Sequence, residues 1–259
     1  MNFHEFGEKT NPHILLIHGG GNAWWNYLRQ ARMLSARYHV ILPTLDGHGE
    51  EYAKTYISTG DSAKKLTAYI DEYCGGRVFL LGGVSLGGQI VIEMLSMRPD
   101  IAQKAIIDGS LCCPQPGMAK YCIATVRLLG GLLFGKTSCK MQIAMLRLMP
   151  KMRFPPELEQ YYIHDMPLLR KETLYTMYRT YMAEYQLKKS LRQTKAQVMY
   201  WYGEKEMKCV KESARRFQAL VPACQIYEAK GYNHGYLAVY LPEEWMKVAT
   251  PFLEQNSSL

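Results

Sequence analysis

The sequence predicts an α/β fold: a mostly parallel central sheet with helices on both faces, plus a helical segment inserted late in the chain. Three observations carry this. Short apolar runs alternate with stretches of helical periodicity up to about residue 111, and the alternation resumes after about residue 191. The runs are nearly continuous in Val, Ile and Leu, as strands buried on both faces must be. Strands that alternate with helices at this spacing form right-handed βαβ units, which make parallel sheets.

In chain order, His13–Ile17 is a strand entering the loop His18-Gly19-Gly20-Gly21. A helix is expected over 24–36 and a strand over 38–42. The turn-rich loop Pro43-Thr44-Leu45-Asp46-Gly47-His48-Gly49 follows. Over 61–74, Ala63, Leu66, Ile70, Tyr73 and Cys74 share one helical face, and Gly75-Gly76 ends the helix. Val78-Phe79-Leu80-Leu81-Gly82 reads as a buried strand. Leu86, Ile90, Val91, Met94 and Leu95 then recur at helical spacing until Arg98-Pro99. A strand over 105–108 closes the first half. After the insertion come a strand over 197–202, a helix over 210–220, a strand over 225–227 and a last helix over 242–253. The core domain is therefore 1–111 with 192–259, and 112–191 is a helical cap.

Bulk properties bound the class. A chain of 259 residues can bury one large core without needing a second domain. With 48% hydrophobic and 21% charged residues, disordered and fibrous classes are excluded. Met1-Asn2-Phe3-His4-Glu5 has neither a basic nor an apolar signal region, so no signal peptide is expected. The longest apolar window, 121–134, is broken by Arg127 and Gly130-Gly131 and is too short to span a bilayer. Seven cysteines without CxxC spacing point to reduced thiols in a cytoplasmic protein. The net charge of +8 is localised: residues 112–195 hold 14 Lys/Arg and 5 Asp/Glu, a net of +9, against −1 for the remainder. No nucleic-acid signature accompanies it, so no nucleic-acid partner is expected. A solvated helical face is the plain account, and an anionic membrane surface is the lesser alternative.

Gly83-Val84-Ser85-Leu86-Gly87 stands between a strand and a helix, with glycine two positions either side of the serine. This is the pattern of a nucleophile elbow, whose sharp turn leaves no room for flanking side chains and lifts the hydroxyl above the sheet edge. Together with the His-Gly loop, Leu45-Asp46-Gly47-His48-Gly49, the acidic Gly203-Glu204-Lys205-Glu206 and Gly231-Tyr232-Asn233-His234-Gly235, in that order, the chain resembles the α/β-hydrolase superfamily over nearly its whole length.

The resemblance implies a Ser–His–acid hydrolase. Ser85 would be the nucleophile and His234 its base, because His234 alone of seven histidines follows the last strand in a glycine-flanked loop before the final helix. His18 and His48 are expected to hold loops by hydrogen bonding, and His4 and His13 to be solvated. The acid falls at Glu206, where the commoner residue is aspartate; Asp108, at the end of the preceding strand, is the rival and Glu204 the remainder. Backbone amides of Leu86 and of Gly20 would form the oxyanion hole, with Gly21 and Trp24 near the substrate. No metal site is expected, since no HExxH or Cys/His pair at ligand spacing occurs, and no cofactor is needed.

Eight methionines fall in 112–191, with Met141, Met145 and Met149 at i, i+4 and i+8, and Tyr175, Tyr178 and Tyr185 recur at near-helical intervals. These stripes are expected to pack the cap on the core, and alternatively to line an acyl pocket. The expected activity is cleavage of a small, fairly apolar carboxylic ester by a monomer or homodimer. The alternatives are C–C, thioester or amide cleavage or acyl transfer by the same triad, and a non-catalytic small-molecule receptor.

Overall fold

A computed structural model describes residues 1–148 and 154–255. The strands are β1 (Asn2–Phe6), β2 (His13–Ile17), β3 (His39–Thr44), β4 (Val78–Val84), β5 (Ala102–Asp108), β6 (Gln197–Gly203) and β7 (Gln225–Ala229). They form one sheet in the order β1-β3-β2-β4-β5-β6-β7. All neighbours pair parallel except β1, which runs antiparallel to β3 at the sheet edge. The helices are α1 (Leu28–Leu34), α2 (Thr59–Tyr73), α3 (Leu86–Met97), α4 (Pro116–Leu133), α5 (Lys136–Arg147), α6 (Pro156–Asp165), α7 (Lys171–Met177), α8 (Lys208–Leu220), α9 (Tyr236–Val239) and α10 (Pro242–Glu254).

Strand alternation sends successive side chains to opposite faces. Leu15, Leu81, Ile107 and Tyr200 join one apolar cluster with α2, α3 and α8. Ile14, Leu80, Ile106 and Trp201 join another with Ala31 of α1 and Trp245 of α10. Local signals set the boundaries. Ser58 caps α2 by accepting from the Asp61 N–H at 3.0 Å, and Pro242 with Glu243 and Glu244 opens α10. The stretch expected as one helix over 24–36 divides into a 3-10 turn, Trp24–Tyr27, and α1. β1 has no counterpart in the sequence reading.

Between β5 and β6 the described chain is helical from α4 to a 3-10 turn at Lys189–Gln193. Of its buried residues, Val126, Met166, Leu174, Met177 and Tyr181 join the same cluster as Leu15 and Leu86, while Ile143, Phe154 and Leu158 form a third cluster with Ala23, Trp25 and Leu28. The methionine stripe behaves otherwise. Met141 and Met145 point to solvent, so the expectation that they pack on the core is corrected; Met149 and Met152 lie outside the described residues. Tyr175, Tyr178 and Tyr185 do pack against the core.

β3 lies on one side of β2 and β4 on the other, so the chain reverses its direction of winding between β2 and β4. The crevice beyond the carboxyl ends of two such strands is where open α/β sheets bind ligands. The loop Gly19-Gly20-Gly21 and Ser85 both lie there.

Candidate active site

Ser85 follows β4 directly and has φ +55° and ψ −113°, the only positive φ outside glycine among the described residues. The strain is held from several sides. Its N–H donates to the Asp108 carbonyl at 2.7 Å, and its own carbonyl accepts from Ser110 Oγ at 2.8 Å. A side chain on Gly83 would strike the backbone of Gly87, and one on Gly87 would fall on the Ile17 carbonyl at the end of β2. Glycine is thus required on both sides of the serine by backbone contact.

Loop 18–21 is fixed by two side chains. His18 Nδ1–H donates to the Gly19 carbonyl at 2.8 Å while its Nε2 accepts from the Leu45 N–H at 3.0 Å. Burial, then the neighbouring His48, pushes the His18 pKa down to about 3, so the ring is neutral and can serve both bonds. Asn26 Oδ1 accepts from the Gly19 N–H at 3.2 Å. Gly20 sits beside Leu86, whose Cβ would be 3.8 Å from a Gly20 Cβ. Among the described residues neither the Gly20 nor the Leu86 N–H donates to a protein group. The two amides flank Ser85, and Leu86 is the first residue of α3, where a helix leaves its N–H groups free.

His234 Nδ1–H donates to Glu206 Oε2 at 2.8 Å. That bond fixes the proton on Nδ1 and leaves Nε2 as the acceptor. The Glu206 side chain is 1% exposed and the imidazole 43%, so the carboxylate is enclosed while the ring reaches solvent. Glu206 Oε1 also accepts from the Met207 N–H at 3.2 Å. Burial alone would lower the His234 pKa, but the bond to Glu206, the Glu206 charge and the Asp108 charge outweigh it and raise it above the ordinary 6.5. Gly109 makes the approach feasible: a side chain there would lie 3.1 Å from His234 Nδ1 and 3.3 Å from Glu206 Oε2.

The three acidic candidates separate by their partners. Glu204 is exposed and accepts from the Gly231 N–H at 2.8 Å, which steadies a turn. Asp108 is buried and its Oδ2 has no hydrogen-bond partner among the described residues. Burial drives its carboxyl up to about 7; nearby Trp201 and His234 oppose this and the Glu206 charge adds to it. Only Glu206 bonds the imidazole.

The Ser85 hydroxyl, half-buried, faces Tyr181 OH at 3.4 Å, and no Ser85–His234 hydrogen bond is present among the described residues. Tyr181 also accepts from the Leu111 N–H at 3.2 Å. Burial pushes its phenol up to about 12, so it stays protonated. Buried Gln89 on α3 holds this arrangement by donating to the Leu111 carbonyl at 2.7 Å and the Tyr181 carbonyl at 2.9 Å. Met177 covers Gly20, and Met166 and Leu169 lie against Gly21.

Tyr181, Gln89 and Asn26 carry no motif. Tyr181 lies in a π-helical turn, Tyr178–Glu184, where each turn takes an extra residue and 3.6-residue spacing no longer predicts the face. The signal for Gln89 was a polar residue within the apolar elbow helix. Trp24 is placed differently from expectation. Its ring stacks on His4 at 4.0 Å and meets Tyr161 at 5.3 Å, in a groove with Glu50 and His164, and no contact joins it to Ser85. His4 is partly exposed, as expected, and also bonds Glu50 at 2.6 Å. All seven cysteines are free thiols, and no group of three or more His, Cys, Asp or Glu among the described residues could hold a metal ion.

A fungal AB hydrolase superfamily protein from Gibberella zeae is 30% identical over 113 residues, 40% of this chain and 38% of that protein. The chain thus matches well under two thirds of this relative. Solved structures agree over far more of the chain. A carboxylesterase structure from the thaumarchaeon Nitrososphaera gargenis superposes with a TM-score of 0.78 at 15% identity, covering 97% of this chain and 93% of that one. E-2-(acetamidomethylene)succinate hydrolase gives 0.79 at 18% identity, covering 98% and 94%. At these identities the structures speak for the fold alone. The sequence model of the alpha/beta hydrolase family matches residues 14–249, and the chain belongs to that family.

Proposed function

We propose that this hydrolase is a serine esterase that cleaves a small, fairly apolar carboxylic ester through an acyl-enzyme. The observation that carries the proposal is the His234–Glu206 bond of 2.8 Å at the same sheet edge as the strained Ser85. Ser85 Oγ attacks the ester carbonyl and His234 Nε2 takes its proton, while Glu206 holds the ring and stabilises the imidazolium. The amides of Gly20 and Leu86 receive the developing oxyanion. His234 returns its proton to the departing alcohol, and a water activated by the same nitrogen releases the acid. Met166, Leu169 and Met177 make the surroundings apolar, which favours an uncharged acyl group and excludes water. The carboxylesterase among the structural neighbours supports an ester as the first substrate class to try.

One observation favours a non-catalytic receptor: the Ser85 hydroxyl rests against Tyr181 and not His234. A fluorophosphonate probe with a panel of p-nitrophenyl esters of graded chain length separates the two. The esterase reading expects stoichiometric labelling that Ser85→Ala abolishes, with ester turnover. Folded protein that neither labels nor turns over any ester of the panel would leave the receptor reading standing.

A further inference from the structure

The first two helices after β5 turn large apolar side chains to solvent. Along α4, Tyr121, Leu128 and Leu132 fall at i, i+7 and i+11, one helical face, and are 74%, 81% and 69% exposed. On α5, Met141 and Met145, one turn apart, are 68% and 60% exposed. The opposite faces are already used: Ala119, Val126 and Gly130 of α4 and Cys139 and Ile143 of α5 are buried. A surface helix ordinarily sets polar residues on its outer side. A run of exposed leucine, tyrosine and methionine on adjoining helices marks a surface with an occupant.

Charge identifies the occupant. Residues 112–148 contain Lys120, Arg127, Lys136, Lys140 and Arg147 and no acidic residue. Arg147 pairs with Glu159, whereas the other four have no ion-pair partner among the described residues. Lys120 and Arg127 adjoin Tyr121 and Leu128, and Lys140 adjoins Met141, so cations and apolar groups share the outer side. A second copy docking through the same face would set these cations against their own images with no acid in the patch to offset them. An anionic bilayer satisfies both features: apolar side chains enter the interface while lysine and arginine stems reach the headgroups. No single described helix is long and apolar enough to cross a membrane; α4 and α5 reach that length and apolarity only together, and the 88° bend at their junction keeps them from forming one straight span.

We propose that α4 and α5 form a docking surface for an anionic lipid bilayer. The surface connects to the candidate site by packing, since α4 lies on α7 and on the π-helical turn that holds Tyr181 against Ser85. Docking therefore bears on the element that covers the nucleophile. It does not depend on the esterase reading, because binding is measured without turnover.

The test uses the full chain carrying Ser85→Ala, co-sedimented with phosphatidylcholine vesicles with and without phosphatidylglycerol, at about 50 mM and about 500 mM salt. The expected result is at least about tenfold stronger partitioning onto the anionic vesicles, lost at high salt. Lys120→Gln and Arg127→Gln should each weaken it about fivefold. Leu128→Asp with Leu132→Asp should weaken it at least about tenfold while the circular dichroism and thermal melt stay unchanged. Equal partitioning onto both vesicle types, no partitioning, or a dimer in sedimentation equilibrium that Leu128→Asp dissolves would each overturn the proposal; the lysine and arginine variants keep the test decisive should the leucine variants unfold.

Discussion

The sheet and the segment between β5 and β6 use their apolar residues in opposite ways. In the sheet, Leu15, Leu81 and Ile107 are buried by helices on one face and Leu80 and Ile106 by helices on the other. In α4 and α5 the inner face is buried too, yet the outer face carries Leu128, Leu132, Met141 and Met145 in solvent. A continuous apolar strand has no polar side and can only be interior. A helix with apolar residues on two sides leaves its orientation to its neighbours. The contrast places the candidate groups on the rigid sheet edge, and on the segment the side chains that cover them.

The largest effects of substitution should therefore come from the sheet edge. Glu206→Gln should lower kcat/KM about 10³-fold or more, while Asp108→Asn should cost less than about tenfold, measured on a chromogenic ester. The reverse order would move the orienting role to the buried aspartate. In the covering segment, Tyr181→Phe removes one hydroxyl beside Ser85 and should change kcat by about tenfold at most, with KM little altered. A loss matching Glu206→Gln would promote that phenol to a direct participant and erase the contrast.

The pH dependence sharpens the same comparison. On the proposed mechanism His234 must be neutral to accept a proton, and its pKa is raised, so kcat/KM should climb with pH through an inflection above 6.5. Glu206→Gln should move that inflection down, and Tyr181→Phe should leave it in place. For stability, the raised histidine pKa means that the His234–Glu206 pair contributes fully below about 6.5 and loses that contribution as pH rises through the folded value.

The smallest effect concerns Asp108, whose carboxyl goes from an ordinary 3.8 to about 7 by burial. A raised carboxyl pKa destabilises the folded state increasingly as pH rises from about 4 to about 7, and by a constant amount above that. Asp108→Asn should thus raise the melting temperature at pH 8, by about 2–4 °C for each kcal/mol recovered, and gain almost nothing at pH 4. A variant that melts lower at pH 8 would mean the charge is stabilised by a partner.

Much of the site was legible because its constraints are local in sequence. A strand ending at Ser85 with glycine at 83 and 87 encodes the strained turn, since the contacts that exclude a Cβ come from the backbone of the turn itself and from the end of β2. The place of His234 was legible from chain order. The choice of Glu206 over Asp108 as candidate acid rested on resemblance; the 2.8 Å bond shows that Glu206 is the carboxylate that meets the imidazole. Trp24 was misplaced because adjacency to a glycine loop fixes where a residue begins, not which way its ring turns. Tyr181 and Gln89 were missed because one lies in a π-helical turn and the other acts through bonds to residues 22 and 92 positions away.

By itself the sequence determined the layered α/β architecture, the elbow and the order of the candidate groups, because apolar periodicity and glycine spacing act over a few residues. Tertiary structure alone decided which carboxylate meets the imidazole, what covers Ser85 and which side of α4 faces water. Those outcomes depend on where segments far apart in the chain come to rest against one another, and no local pattern records that.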